Sequence, residues 1–159
     1  ANGAWASTGV VHQSFLDSML AEPFFMIKPP KSTGRDLFNE SWLKQHILYP
    51  HCRPQDIART LTRLTAESIY NALIHYCPNV QEIYICGGGA HNTLLTADLS
   101  ALLSDVPVAT TDLLGIGVDW VEAAAFAWLA KQTMNRKPSN LPAVTGARGF
   151  RILGAIYPA

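Results

Sequence analysis

Residues 83–92 read Ile83-Tyr84-Ile85-Cys86-Gly87-Gly88-Gly89-Ala90-His91-Asn92, and this stretch decides the fold. A short β-rich run, 82–86, enters three glycines. A helical pattern then starts from Asn92, with Leu94, Leu95, Leu99, Leu102 and Leu103 on it. Glycine lets a chain turn sharply and lets a ligand come close, because no Cβ stands in the way. A helix N-terminus behind such a loop offers N–H groups without partners and the positive end of the helix dipole. The segment therefore suits a phosphate or the edge of a nucleotide, and Asn92 suits either a helix cap or a ligand contact. A tight strand-to-helix turn with no ligand accounts for the same residues equally well. Neither the dinucleotide fingerprint GxGxxG nor the phosphate loop GxxxxGK[ST] is matched.

Working outward, residues 106–110 form a second short strand candidate. Asp119 is placed to cap a helix from Trp120 to about Met134, rich in Ala, Phe and Trp, with Trp120 and Trp128 expected in the core. Upstream, Pro54 suits a helix first turn and Asp56 suits the positive end of its dipole. Ile57, Leu61, Leu64, Ile69, Leu73 and Tyr76 make an apolar stripe, so one long helix is expected over 54–76. Val11, Phe15, Leu16, Met19 and Leu20 predict a helix over 10–21, stopped by Pro23. Residues 24–27 read as extended before Pro29-Pro30. Thr33 followed by Asp36 resembles a capping box, predicting a helix through Trp42 to Ile47, closed by Tyr49-Pro50. Residues 135–149 read as loop and 150–157 as a last strand. Helices alternating with short strands give an α/β fold in which helices cover a sheet. No repeat or linker divides the 159 residues, so one domain is expected.

The composition narrows the function. Twelve Lys+Arg balance twelve Asp+Glu, and no basic cluster stands out, which argues against nucleic acid or a membrane surface as partner. No apolar run is long enough to span a bilayer. Charged residues make up only 15%, below the roughly 25% of ordinary soluble domains. So uncharged a surface suggests a covering partner or another part of the same chain. Cys52, Cys77 and Cys86 form no CxxC pair and read as buried reduced thiols. The histidines fall at no metal-ligand spacing, so no metal site is expected.

Two further segments carry candidate chemistry. Lys31, Ser32, Thr33, Gly34 and Arg35 group two cations, two hydroxyls and a glycine at an expected helix start, where an anion or a sugar fits; a capped helix with solvated charges fits as well. Glu122 stands in the first turn of a strongly apolar helix. It serves either as a dipole partner or as a carboxylate accepting hydrogen bonds from sugar hydroxyls.

Four ordered segments together resemble a known family. They are Lys28-Pro29-Pro30-Lys31-Ser32-Thr33-Gly34-Arg35; Cys86 to Asn92; Asp119-Trp120-Val121-Glu122-Ala123 with Ala125-Phe126-Ala127-Trp128-Leu129; and Asn140-Leu141-Pro142 with Val144-Thr145-Gly146-Ala147. The sequence resembles the C-terminal part of anhydro-N-acetylmuramic acid kinase along nearly its whole length. The resemblance implies the actin/Hsp70/sugar-kinase fold, in which two ribonuclease-H-like lobes flank an ATP cleft. It implies ATP-dependent opening of the 1,6-anhydro ring with phosphorylation of O6, in peptidoglycan recycling in the bacterial cytoplasm. Gly87, Gly88, Gly89, Ala90 and Asn92 would then contact the adenosine part of ATP, and Mg²⁺ would accompany the nucleotide. Glu122 would bind the sugar, with Lys31, Thr33 and Arg35 near the cleft.

Such kinases also carry an N-terminal lobe with a phosphate-binding segment and a catalytic Asp. Asp17 and Asp36 sit in the wrong context to replace that Asp, and the chain begins Ala1-Asn2-Gly3 without an initiator Met. The expectation is a C-terminal nucleotide- and sugar-binding lobe with no catalytic residue of its own, whose partners are ATP, the anhydro-sugar and the N-terminal lobe, with a homodimer left open. The alternatives are a non-catalytic nucleotide-binding module and a purely structural α/β interaction domain.

Overall fold

The computed structural model describes residues 2–47 and 52–157. The closing Tyr49-Pro50 lies outside the described residues. Nine elements are labelled in chain order: α1 (Gln13–Leu20), α2 (Pro23–Met26), α3 (Glu40–His46), α4 (Pro54–Tyr76), β1 (Ile83–Ile85), α5 (Thr93–Leu102), β2 (Val108–Thr110), α6 (Val121–Met134) and α7 (Pro142–Thr145). Short 3₁₀ turns cover Ala6–Thr8, Gly88–His91 and Thr111–Leu114. The class is α/β, as expected.

The two strands pair in parallel, with Ile83 opposite Val108, Tyr84 opposite Ala109 and Ile85 opposite Thr110. Parallel neighbours need a crossover; the glycine loop and α5 supply it. Helix α4 is the spine. Its N-terminal half packs on α1, the first 3₁₀ turn and α5. The main core lies between α1, α3 and α4, where Phe15, Leu16, Met19, Trp42 and Leu64 are buried. Leu99 and Leu103 are buried at the C-terminal half of α5 and just beyond it.

Several expectations need correction. Pro23 does not merely end α1: it opens α2 as its first residue, and Glu22 caps it by accepting from the Phe24 N–H, so 24–26 is a helical turn and not extended. The capping box at Thr33 and Asp36 does not form. Asn39 caps α3 instead, its Oδ1 accepting from the Trp42 N–H at 3.0 Å. Residues 150–157 form no strand, having no neighbouring strand to pair with. Trp120 and Trp128 are exposed, at 70% and 50%, and α6 has no buried residue at all. Cys77 and Cys86 are exposed and Cys52 is half-buried, because each sits at the edge of an element and not within a packed face.

One carboxylate ties the N-terminal segment to the spine. Asp56, buried at the start of α4, accepts from the Val10 N–H at 2.8 Å and from Arg53 at 2.9 Å through both oxygens. Thr60, fully buried one turn on, accepts from the His12 N–H at 3.1 Å. The Arg53 guanidinium and the Val10 amide hold the Asp56 carboxyl down from 3.8 to about 2. A depressed folded-state value means stabilisation that is present above the unfolded value and lost as pH falls through the folded one. Comparison of the thermal midpoints of the wild type and Asp56→Asn should therefore show a gap that is full at neutral pH and closes between pH 3.8 and about 2. A gap that does not change with pH would show that the Asp56 charge is not what holds the segment.

Candidate functional site

Both strands end at the same edge of the molecule. β1 runs into Gly87 and β2 into Thr111, and a cleft of about 390 Å³ opens there. Three segments line it: Ala90 and His91 from the glycine loop, Thr110 at the end of β2 with Asp112 just beyond it, and Gly117 to Trp120 ahead of α6.

The loop has a defined geometry. Gly87 sits at φ 70° and ψ −170°, a region open essentially to glycine alone. Its N–H donates to the Val118 carbonyl at 2.9 Å, tying the loop to the segment before α6. A Cβ placed on Gly87, Gly88 or Gly89 meets no protein atom within 4 Å, so the outer face of the loop is open space. The second and third glycines lie within the 3₁₀ turn Gly88–His91 that leads into α5, and Asn92 caps that helix, its Oδ1 accepting from the Leu95 N–H at 3.1 Å. A Cβ on Gly3 would strike Asn92 Oδ1 at 2.3 Å, so the N-terminal segment lies directly on this side chain. The expected open helix N-terminus is therefore closed off at α5. The surface left for a ligand is the backbone of the glycine turn itself.

The opposite wall carries acids. Asp112 Oδ2 accepts from the Thr110 hydroxyl at 2.7 Å, and Asp119 Oδ1 pairs with His91 Nε2 at 2.9 Å. Asp119 was expected to cap α6. It faces the glycine loop instead, and Trp120 at the N-cap position has no side-chain cap bond. Glu122 lies one turn beyond Asp119, exposed in the first turn of α6, and among the described residues its carboxylate has no ion-pair or hydrogen-bond partner.

The second expected cluster lies elsewhere. Lys31 Nζ donates to the Phe24 and Phe25 carbonyls, 2.9 Å each, and stands 4.8 Å from the Phe24 ring centroid. It lines a separate apolar groove of about 510 Å³ between α2 and the C-terminal half of α4. Thr33 and Arg35 are exposed on the irregular stretch before α3. The structure thus brings the glycine loop beside the start of α6 but does not bring Lys31 to that cleft. The pairing of His91 with Asp119 is not foreseen from the sequence. Twenty-eight residues separate His91 from Asp119, so no local spacing could have joined them. Among the described residues no group of three or more His, Cys, Asp or Glu is placed to hold a metal ion, and no helix is long and apolar enough to cross a membrane.

Open α/β proteins take small ligands at the carboxyl ends of their parallel strands, and this cleft, with its glycine turn, places the chain in that class. The chain belongs to the anhydro-N-acetylmuramic acid kinase family, whose model matches residues 1–159. Curated relatives of that name are 51% identical over 158 residues in Nitrosomonas europaea, 48% over 157 in Nitrosospira multiformis and 50% over 159 in Cupriavidus metallidurans. The alignments cover 98–99% of this chain but only 42–43% of those relatives.

The two neighbouring glycines should respond differently to a methyl group. Gly87→Ala forces a side chain into the glycine-only region and should cost about 1–3 kcal/mol. Gly88→Ala meets open space and should stay within about 0.5 kcal/mol of wild type. Urea unfolding of both variants checks this; equal losses would contradict the loop geometry.

Proposed function

We propose that this chain is the C-terminal nucleotide- and sugar-binding lobe of an anhydro-N-acetylmuramic acid kinase, with a ribonuclease-H-like sheet flanking an ATP cleft as in the actin/Hsp70/sugar-kinase fold. The full-length protein opens the 1,6-anhydro ring of its sugar with ATP and phosphorylates O6, in peptidoglycan recycling in the cytoplasm. The observation that carries this reading is the open glycine turn at the carboxyl ends of the two parallel strands, tied by its backbone to the segment that leads into Glu122.

In this reading Gly87, Gly88, Gly89 and Ala90 lie against the adenosine part of ATP, where the absence of side chains permits close approach. Asn92 acts indirectly, by capping α5 and so fixing the end of the loop. The acids on the opposite wall disfavour a triphosphate and suit hydroxyls, which supports a reading in which the phosphates face outward, toward the N-terminal lobe. Mg²⁺ accompanying the nucleotide would neutralise charge on its phosphates and keep much of its water shell, with Asp112 and Asp119 the carboxylates of this chain that line the cleft. Glu122 accepts hydrogen bonds from sugar hydroxyls, a use its unpaired carboxylate supports. Lys31, engaged by two carbonyls, holds α2 in place and takes no direct part, while Thr33 and Arg35 remain available to a ligand approaching that face. The exposed apolar side chains of α6 are the surface this lobe buries against the rest of the protein.

Two outcomes follow. A folded preparation of the 159-residue chain alone should release no ADP in response to the sugar, because half a cleft holds few of the donors that phosphoryl transfer requires. Turnover near that of a full-length kinase would overturn the lobe reading. In the full-length protein, Glu122→Gln should lower sugar-dependent kcat/KM at least about tenfold, roughly 1.4 kcal/mol, while the thermal midpoint barely moves. If kcat/KM stays within about twofold and stability falls instead, Glu122 is only a partner for the helix dipole, worth about 0.3–1 kcal/mol.

A further inference from the structure

We propose that His91 and Asp119 form a positioning latch that fixes the glycine turn against the start of α6, and so sets the Glu122 carboxylate relative to the nucleotide loop. The inference rests on the reading of Gly87 to Ala90 as the nucleotide contact.

Two bonds join these segments. At one end of the turn the Gly87 N–H donates to the Val118 carbonyl at 2.9 Å; at the other, His91 Nε2 meets Asp119 Oδ1 at 2.9 Å. The bonds lie four residues apart on the loop and on adjacent residues of the facing segment, so they bracket the glycine turn. Asp119 lies inside a backbone turn. The Trp120 N–H donates to the Gly117 carbonyl at 2.9 Å, and a Cβ on Gly117 would crowd Trp120 Cδ1 at 3.2 Å. Glu122 follows one helical turn later, so a shift of Asp119 carries Glu122 with it.

Stability does not explain the pair. The side chains are 52% and 65% exposed, and such pairs contribute little to folding. Among the described residues Asp119 makes no cap bond to α6, and its one side-chain hydrogen bond goes to His91. Without the side-chain bond, the one hydrogen bond left between loop and segment among the described residues is that of the Gly87 amide. The Gly88–His91 turn, held internally by the Ala90 N–H on the Gly87 carbonyl and the Asn92 N–H on the Gly89 carbonyl, must then be fixed against α6 when the ligand arrives. That ordering cost falls on nucleotide affinity and on the alignment of the two substrates. His91 and Asp119 are therefore positioning residues.

The test uses the full-length protein with His91→Ala, Asp119→Ala, the double variant, His91→Gln and Gly88→Val. Each single alanine variant should raise KM for ATP about three- to tenfold, and the double variant should lose no more than the worse single, as partners in one interaction do. KM for the sugar should move less than kcat, and the thermal midpoint should hold. His91→Gln, whose amide can still donate to Asp119, should recover most of the ATP affinity. If both singles keep wild-type KM, if their losses multiply, or if only the thermal midpoint falls, the latch is overturned. Gly88→Val separates the two readings. If it weakens ATP binding while the latch variants do not, the latch alone fails; if it leaves ATP binding unchanged, the nucleotide reading fails and the latch falls with it.

Discussion

Arg59 holds Asp98 through two hydrogen bonds of 2.6 and 2.8 Å, and the placement of the glycine loop follows from that grip. The side chains are only 16% and 10% exposed, so the pair is largely removed from water. Arg63, bonded to Glu67, adds a second guanidinium 3.9 Å from Asp98. Removing one partner from such a pair typically costs about 3–5 kcal/mol, because the other charge stays buried without compensation. The pair docks α5 on the spine helix α4. The first turn of α5 is capped by Asn92, the residue where the glycine turn ends, and the Thr93 hydroxyl donates to the Asn2 carbonyl beside it. The Arg59–Asp98 pair near the start of α4 thus anchors the helix whose N-terminal cap lies at the rim of the cleft. The apolar core between α1, α3 and α4 leaves that rim largely to hydrogen bonds.

The cleft is a consequence of parallel pairing. Two parallel strands joined by one crossover must end on the same edge, and the loops that leave them must diverge there. Gly87 turns the first loop through a backbone conformation that other residues avoid, which sends Gly88 to His91 over the cleft and not across the sheet. Gly115, at φ 81°, turns the second loop back after the Thr111–Leu114 turn, with its N–H on the Asp112 carbonyl at 3.0 Å. His91 and Asp119 meet across the gap, with Asp112 lining the same cleft, only because both turns are made.

Long periodic segments were legible in the sequence. Pro54, the Ile57 to Tyr76 stripe and Pro78 delimit α4 at Pro54–Tyr76, since a stripe of six turns has few other solutions. The strands and the glycine turn were legible too, because β-rich residues stop abruptly at glycine. Short-range capping was not. Thr33, Asn39, Asp36 and Asp119 all have side chains able to cap, and what selects among them is the neighbourhood in three dimensions: Trp42 packs against Phe38 and donates to Glu22 at 2.8 Å, which places the start of α3 at Asn39. Asp119 leaves α6 uncapped because a histidine twenty-eight residues away lies within reach. Lys31 stands apart from the glycine cleft for a similar reason: the Phe24 and Phe25 carbonyls of α2 hold its ammonium.

Helix α6 poses the remaining physical question. An acid in a first turn needs no explanation beyond the helix dipole. A helix apolar on every side does, because such helices are covered on more than one face, and here Trp120, Phe126, Trp128 and Met134 are each half or more exposed. Covering that helix would also take water from its first turn. A carboxylate that loses water without gaining hydrogen-bond donors is strongly destabilised. Whatever approaches α6 closely must therefore bring donors to Glu122. A sugar does so with several hydroxyls at once and leaves the carboxylate charged, whereas a purely apolar cover would not. An apolar helix with Glu122 in its first turn is thus consistent with the proposed hydroxyl-rich ligand between this surface and its cover.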